Sequence, residues 1–223
     1  MNEESERPIH LAGVNLGKHR HVCAFFHTQD QEDKVIVPFL KEGIDRGEKA
    51  FCALDTKMRA HLLRKLSLAG VEVKSAAKRG QLEVKPCKIT YVRGGRFNQE
   101  AMLALIQDVL SQGREQGFAL TRFVARMECV MVGRVGINEL VEYEARLNHV
   151  LPKFRDPVVC VYNLTKFNAG VVLDILRTHP VVIIGDLVAE NPFFVPPDVL
   201  LQELSERGAY SCGEHARVEE HER

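Results

Sequence analysis

Several side chains in this sequence are of types that do chemistry. His27 directly follows the apolar run VCAFF, and His179 stands before Pro180 at the entrance to a second run, VVII. Histidine near neutral pH can act as acid, base or ligand donor. The rival reading is a ring that hydrogen-bonds a backbone carbonyl and fixes a turn, and Pro180 favours that reading for His179. Cys160 and Tyr162 alternate within VVCVY and so share one face of a strand. A thiolate nucleophile needs a nearby base and some access to solvent, whereas a cysteine in so apolar a run reads as a small buried hydrophobe. Arg126, Glu128, Glu142 and Glu144 could supply paired carboxylates for proton transfer if one were buried. The spacing of Glu142, Glu144 and Arg146 reads instead as a solvated helix face with weak ion pairs. His19, His21 and Cys23 also alternate and could begin a metal site. No further ligand lies at zinc spacing, so these residues read as a polar strand entry and a buried thiol, and no metal is expected. GxSxG and HExxH motifs are absent from the sequence.

The turn after VCAFF settles what the first strand can carry. A phosphate loop needs glycines, so that backbone N–H groups approach phosphate, and a Lys-Ser/Thr pair. The residues here are HTQDQED, without glycine and with three carboxylates. They would repel a triphosphate. The local shape is that of a nucleotide-binding unit without its chemistry, which points from enzyme towards sensor.

The elements that must position these groups follow from periodicity. After the first strand, Val35, Phe39 and Ile44 recur at helical spacing, with Pro38 expected near the first turn. Lys49 to Leu54 is a second strand, and Asp55-Thr56 caps a helix that ends at Gly70. Val71 to Val73 and Leu82 to Val84 read as short strand pieces. Asn98 to Gln116 is a helix, Leu120 to Val124 a strand, and Asn138 to Leu151 a helix with Leu140, Tyr143, Leu147 and Val150 inward. Val158 to Tyr162, Phe167 to Arg177 and Val181 to Ile184 continue the alternation, and a last helix starts near Pro197. Strands alternating with helices at this pitch give an α/β domain with a mainly parallel central sheet. Ligands of such sheets bind outside the carboxyl ends of the strands.

Composition narrows the function classes. The 223 residues carry 30 basic and 30 acidic side chains, a formal net charge of +0, and 45% hydrophobic residues. That is enough for one sizeable core and leaves no basic patch for nucleic acid or an anionic membrane. The apolar stretch from Pro180 to Leu201 is broken by charges and prolines, so no membrane span is expected. MNEESERP lacks a signal core, which implies a cytoplasmic protein. Six cysteines without a CxxC pair then read as reduced core residues.

Seven pieces in order carry a family resemblance: His21 with VCAFF; PFLKEGIDRGEKAFCAL; GGRFNQEAML; LVEYEARLN; VVCVYN with Phe167 after it; LRTHPVVIIG; and NPFFVPPDVLL. Over His21 to Leu204 the chain resembles the MEDS domain, the sensory domain named for methanogens, methylotrophs and the repressor of dichloromethane metabolism. The resemblance implies a three-layer, RecA-like α/β fold that has lost its phosphate loop, with helices on both faces of the sheet. It also implies the sensing of a small organic molecule in prokaryotic signal transduction or transcription regulation. Family members carry the domain beside a DNA-binding module or a histidine kinase. The expected partner here is therefore a separate histidine kinase or transcription regulator, or a second copy in a homodimer. Ala125, Arg126 and Cys129 stand where the family pattern has a glycine, an acidic residue and a tryptophan; Asn163 replaces an aspartate and Phe194 a tyrosine. The ligand therefore does not carry over from other members.

The resulting expectation is a non-enzymatic sensor without cofactor. Residues 1–18 form a flexible arm, 19–204 the sensory domain and 205–223 a polar tail. Phe26, His27, Tyr91, Arg126, Glu128, Cys160, Tyr162 and His179 line its pocket, whose loops around Gly94 and Gly133 respond to ligand. The rivals are a divergent nucleotide-binding enzyme and an interaction module with a vestigial pocket.

Overall fold

Apolar runs long enough for strands alternate with helices that each bury one stripe. The computed structural model describes residues 8–86, 92–93, 96–131 and 137–207. A short hairpin, β1 (His10–Leu11) and β2 (Val14–Asn15), precedes β3 (His21–Phe26), α1 (Gln29–Asp45) and β4 (Lys49–Leu54). Next come α2 (Thr56–Leu68), α3 (Val73–Lys78), β5 (Leu82–Pro86), a small ribbon of β6 (Val92–Arg93) and β7 (Arg96–Phe97), and α4 (Gln99–Glu115). The chain continues through β8 (Thr121–Arg126), α5 (Glu128–Met131), α6 (Ile137–Val150), β9 (Val158–Asn163), α7 (Ala169–Leu176), β10 (Val181–Ile184) and β11 (Leu187–Glu190). A last helix, α8, covers 197–207.

The main sheet has seven strands in the order β11-β10-β3-β9-β8-β4-β5. Every neighbouring pair is parallel except β10 with β11. Strands buried on both faces explain why β3, β4, β8 and β9 read as continuous apolar runs rather than alternating ones. Val22, Ala24 and Phe26 pack on one face against α1 and the hairpin. Cys23, Phe25 and Tyr162 pack on the other, against α4, α6 and α7. The expected three-layer α/β architecture is the observed one.

Six expectations change. The HTQDQED stretch is a two-residue turn, His27-Thr28, followed at once by α1. Thr28 closes a capping box with Gln31, and Asp30 and Glu32 sit in the first turn, where their charge suits the helix dipole. Pro38 consequently lies well inside the helix. Val71 to Val73 forms no strand, because Val73 opens α3. Residues 8–18, read as part of an arm, pack onto the domain: Ile9, Leu11 and Leu16 are buried, and Arg46 donates to Pro8 O at 2.5 Å. Residues 205–207 extend α8. Finally, Cys23, Cys52 and Cys160 are free thiols, but Cys129 is disulfide-bonded, so the cysteines are not all reduced.

Arg122 locks β8 to α1. It is fully buried, donating to Glu48 at 2.6 Å, Glu42 at 2.9 Å and Phe39 O at 2.6 Å while its guanidinium stacks on the Phe39 ring. Room for it exists only because residue 43 is glycine; a Cβ there would lie 2.5 Å from Arg122 Nε.

Candidate functional site

Leu140 and Leu147 face inward on α6, and Glu144, four residues after one and three before the other, falls on the same stripe. It is fully buried. A carboxylate taken out of water must find partners, and Glu144 finds them in side chains of β3, β9 and the segment before β10. Tyr162 Oη donates to Glu144 Oε1 at 2.6 Å. Glu144 Oε2 lies 3.3 Å from His21 Nε2, 3.5 Å from His179 Nε2 and 3.7 Å from Cys160 Sγ. The same sulfur is 3.7 Å from His21 Nε2, and the two imidazole rings are 3.9 Å apart centre to centre.

The far side of each ring is fixed. Asn148 donates its amide to Thr178 O at 2.7 Å and Glu144 O at 3.1 Å, so its oxygen faces His21 Nδ1 at 3.0 Å and that nitrogen carries the proton. His179 Nδ1 faces Ile175 O at 3.1 Å and Thr178 Oγ1 at 2.7 Å; that hydroxyl already donates to Ile175 O, so Nδ1 is again the donor. The Nε2 of both rings therefore points inward at Glu144 Oε2. Burial, reinforced by His21, pushes the His179 pKa well below its usual value. Burial and then the Glu144 charge push the Cys160 thiol and the Tyr162 phenol well above theirs. His21, Glu144, Cys160 and His179 could together hold a metal ion, their ligand atoms all lying within 4.8 Å of one another.

His21 is also part of the wall of a cavity of about 510 Å³ lined with Lys18, His19, Arg20, Asn148, Phe154 and Arg155. This cleft lies where β3, β9 and β10 begin, at the amino ends of the strands. At the carboxyl ends a second charged group forms: Arg126 meets Glu32 at 3.1 Å and Glu128 at 3.3 Å. Burial, opposed by Arg126, pushes the Glu32 carboxyl up to about 7. Beside it, Gln29, Asp33, Val124 and His61 bound a cavity of only about 10 Å³.

The anticipated pocket residues thus divide between places that do not meet. Cys160, Tyr162 and His179 converge on Glu144. Arg126 and Glu128 belong to the carboxyl-end group, on the other face of the sheet with Phe26, which packs in the α1 core. His27 is exposed in the turn, its backbone N–H donating to Gln31. His179 precedes β10 and so lies at the opposite end of the sheet from His27. Tyr91, Gly94 and Gly133 lie outside the described residues. Glu144, read as part of a solvated face, is instead the centre of the cluster, and its position on the Leu140–Leu147 stripe was the signal. Asn148, one turn later on α6, carried the same signal.

Comparison with known proteins places this geometry in a family. Residues 20–180 match the family model described as MEDS, the MEthanogen/methylotroph, DcmR Sensory domain. The chain is 28% identical over 171 residues to the transcriptional repressor DcmR of Methylorubrum extorquens, covering 76% of this chain and 61% of that protein. It thus spans about six tenths of the relative's length. In fold alone it resembles the uncharacterized protein PH0321 of Pyrococcus horikoshii, whose crystal structure holds an unknown peptide. The TM-score is 0.56 at 12% identity, over 76% of this chain and 78% of the other. Both the ordered match over most of the chain and the mainly parallel sheet agree: this chain belongs to the MEDS family of sensory domains.

Proposed function

We propose that this chain is a non-enzymatic sensor that takes a small organic molecule into the cleft beside His21 and passes the event to a regulatory partner. The observation that carries the reading is the cleft itself: about 510 Å³, with His21 as a wall residue whose other edge is bound into the buried Glu144 cluster. A ligand pressing on His21 acts on Asn148 and Glu144 of α6 and, through Thr178 and His179, on the entrance to β10. Only a ligand that binds two arrangements of these elements unequally shifts the balance between them. Lys18, His19, Arg20 and Arg155 around the rim favour a molecule with a polar or anionic end.

Support for a non-catalytic role comes from both ends of the sheet. The turn after β3 has no room for a phosphate loop, and Gln31 Oε1 already accepts from the His27 and Thr28 N–H groups. The buried Cys160 thiol, with its raised pKa, is a poor nucleophile. A transcriptional repressor relative that is longer than the matched segment favours a transcription regulator as the partner, with a histidine kinase or a homodimer as other routes, and is consistent with work in the cytoplasm. A thermal-shift panel tests the reading. A cognate organic compound at a hundred times its Kd raises Tm by roughly 5–10 °C. ATP or GTP with magnesium leaves Tm unchanged. Stabilisation by nucleotide alone would replace this reading with a nucleotide-binding enzyme.

A further inference from the structure

We propose that His21, Glu144, Cys160 and His179 form a buried four-coordinate site for a divalent transition metal, with Zn²⁺ the ion that best suits the donor set. Zinc takes nitrogen, sulfur and oxygen ligands tetrahedrally at about 2.0–2.3 Å, which sets ligand-to-ligand separations of roughly 3.3–3.7 Å. Four of the six edges between these ligand atoms are 3.3, 3.5, 3.7 and 3.7 Å, and all six are within 4.8 Å. The four edges match those of a tetrahedron, and the remaining two, both from His179 Nε2, are held within 4.8 Å.

Three further features fit a cation. First, His179 Nε2 is fully buried and has no hydrogen-bond partner, a state that costs free energy unless something else takes the lone pair. Second, three of the four ligands have an outer partner of the kind that orients metal ligands: Asn148 on His21, Ile175 O and Thr178 on His179, and Tyr162 on Glu144. Third, a thiolate and a carboxylate together cancel the charge of a dication, so the loaded site is neutral in a core where an unbalanced charge is costly. Coordination deprotonates the thiol outright, whatever burial does to it in the free protein. The neighbouring Cys23 is not a ligand; its thiol donates to Val181 O at 3.6 Å.

This inference does not depend on an organic ligand, although His21 would join the metal to the cleft. The test uses Co²⁺ as a spectroscopic probe on the full chain after chelator treatment, with no organic compound present. The expected result is one equivalent bound, the visible bands of tetrahedral cobalt, a thiolate-to-cobalt band in the near ultraviolet, and loss of all of these when Zn²⁺ is added. Cys160→Ser abolishes the thiolate band, and Cys23→Ser leaves it intact. Tyr162→Phe keeps all four ligands but weakens binding about 10-fold through the outer partner. Circular dichroism confirms that each variant is folded. Failure of the folded parent to bind one equivalent overturns the site. So does a cobalt spectrum that is unchanged in Cys160→Ser. Neither outcome touches the reading of the cleft, which the thermal-shift panel decides separately.

Discussion

Glu32 shows how one side chain can set a pH response. Its carboxyl is pushed up to about 7, first by burial, with Arg126 pulling the other way. An acid whose pKa is higher folded than unfolded leaves stability intact below the unfolded value and removes it as pH rises through the folded one. Between about pH 4.5 and pH 7 the native state should therefore lose on the order of 2–3 kcal/mol that it would keep if Glu32 could not ionise. Urea unfolding of the parent and of Glu32→Gln across that range checks this: the gap between them widens in favour of the variant as pH rises. A constant gap would place the ionisation of Glu32 elsewhere. Gly43 supplies the second test at this scale. Alanine ordinarily improves a helix interior by about 1 kcal/mol. Here its Cβ would meet Arg122 and Glu48, both held in a buried ion pair, so Gly43→Ala should destabilise by about 1–3 kcal/mol.

At the scale of elements, the turn between β3 and α1 determines where the first helix starts and hence which groups reach the carboxyl ends. Thr28→Ala removes the capping box and should cost about 1 kcal/mol, a fall in Tm of roughly 2–4 °C. An unchanged melting temperature would mean that tertiary packing alone holds the helix start. The elements themselves were legible in the sequence wherever apolar period and capping agreed: β3, β4, β8, β9 and β10, and the helices begun by Asp55 and Asn98, lie within a few residues of their expected limits. Where one signal outweighed another, the reading failed. Charges in HTQDQED looked like a loop because their value to a helix start was discounted. Glu144 looked solvated because Glu142 and Arg146 beside it are, although its own spacing from Leu140 and Leu147 put it inward. β11 has a mostly exposed face and little apolar pattern, so its pairing with β10 came only from the tertiary structure.

The whole molecule places its two charged groups on opposite faces of one sheet and, for the most part, at opposite ends. Sequence logic for parallel sheets put the pocket at the carboxyl ends; the cavity beside Glu32 and Val124 there is about 10 Å³, whereas the amino ends open into the cleft of about 510 Å³. No single residue shows this, because which ends of the strands are covered depends on how α6 and the segment before β9 close over β3. The central claim is that ligand enters at the amino ends, and affinity measured in variants tests it most directly. Calorimetric titration with the organic compound that stabilises the chain most should show His19→Ala and Phe154→Ala weakening binding at least about tenfold, a loss of about 1.4 kcal/mol. Arg126→Gln should bind as the parent does. The reverse pattern, with Arg126→Gln crippled and both cleft variants unaffected, would put the pocket back at the carboxyl ends and contradict the account.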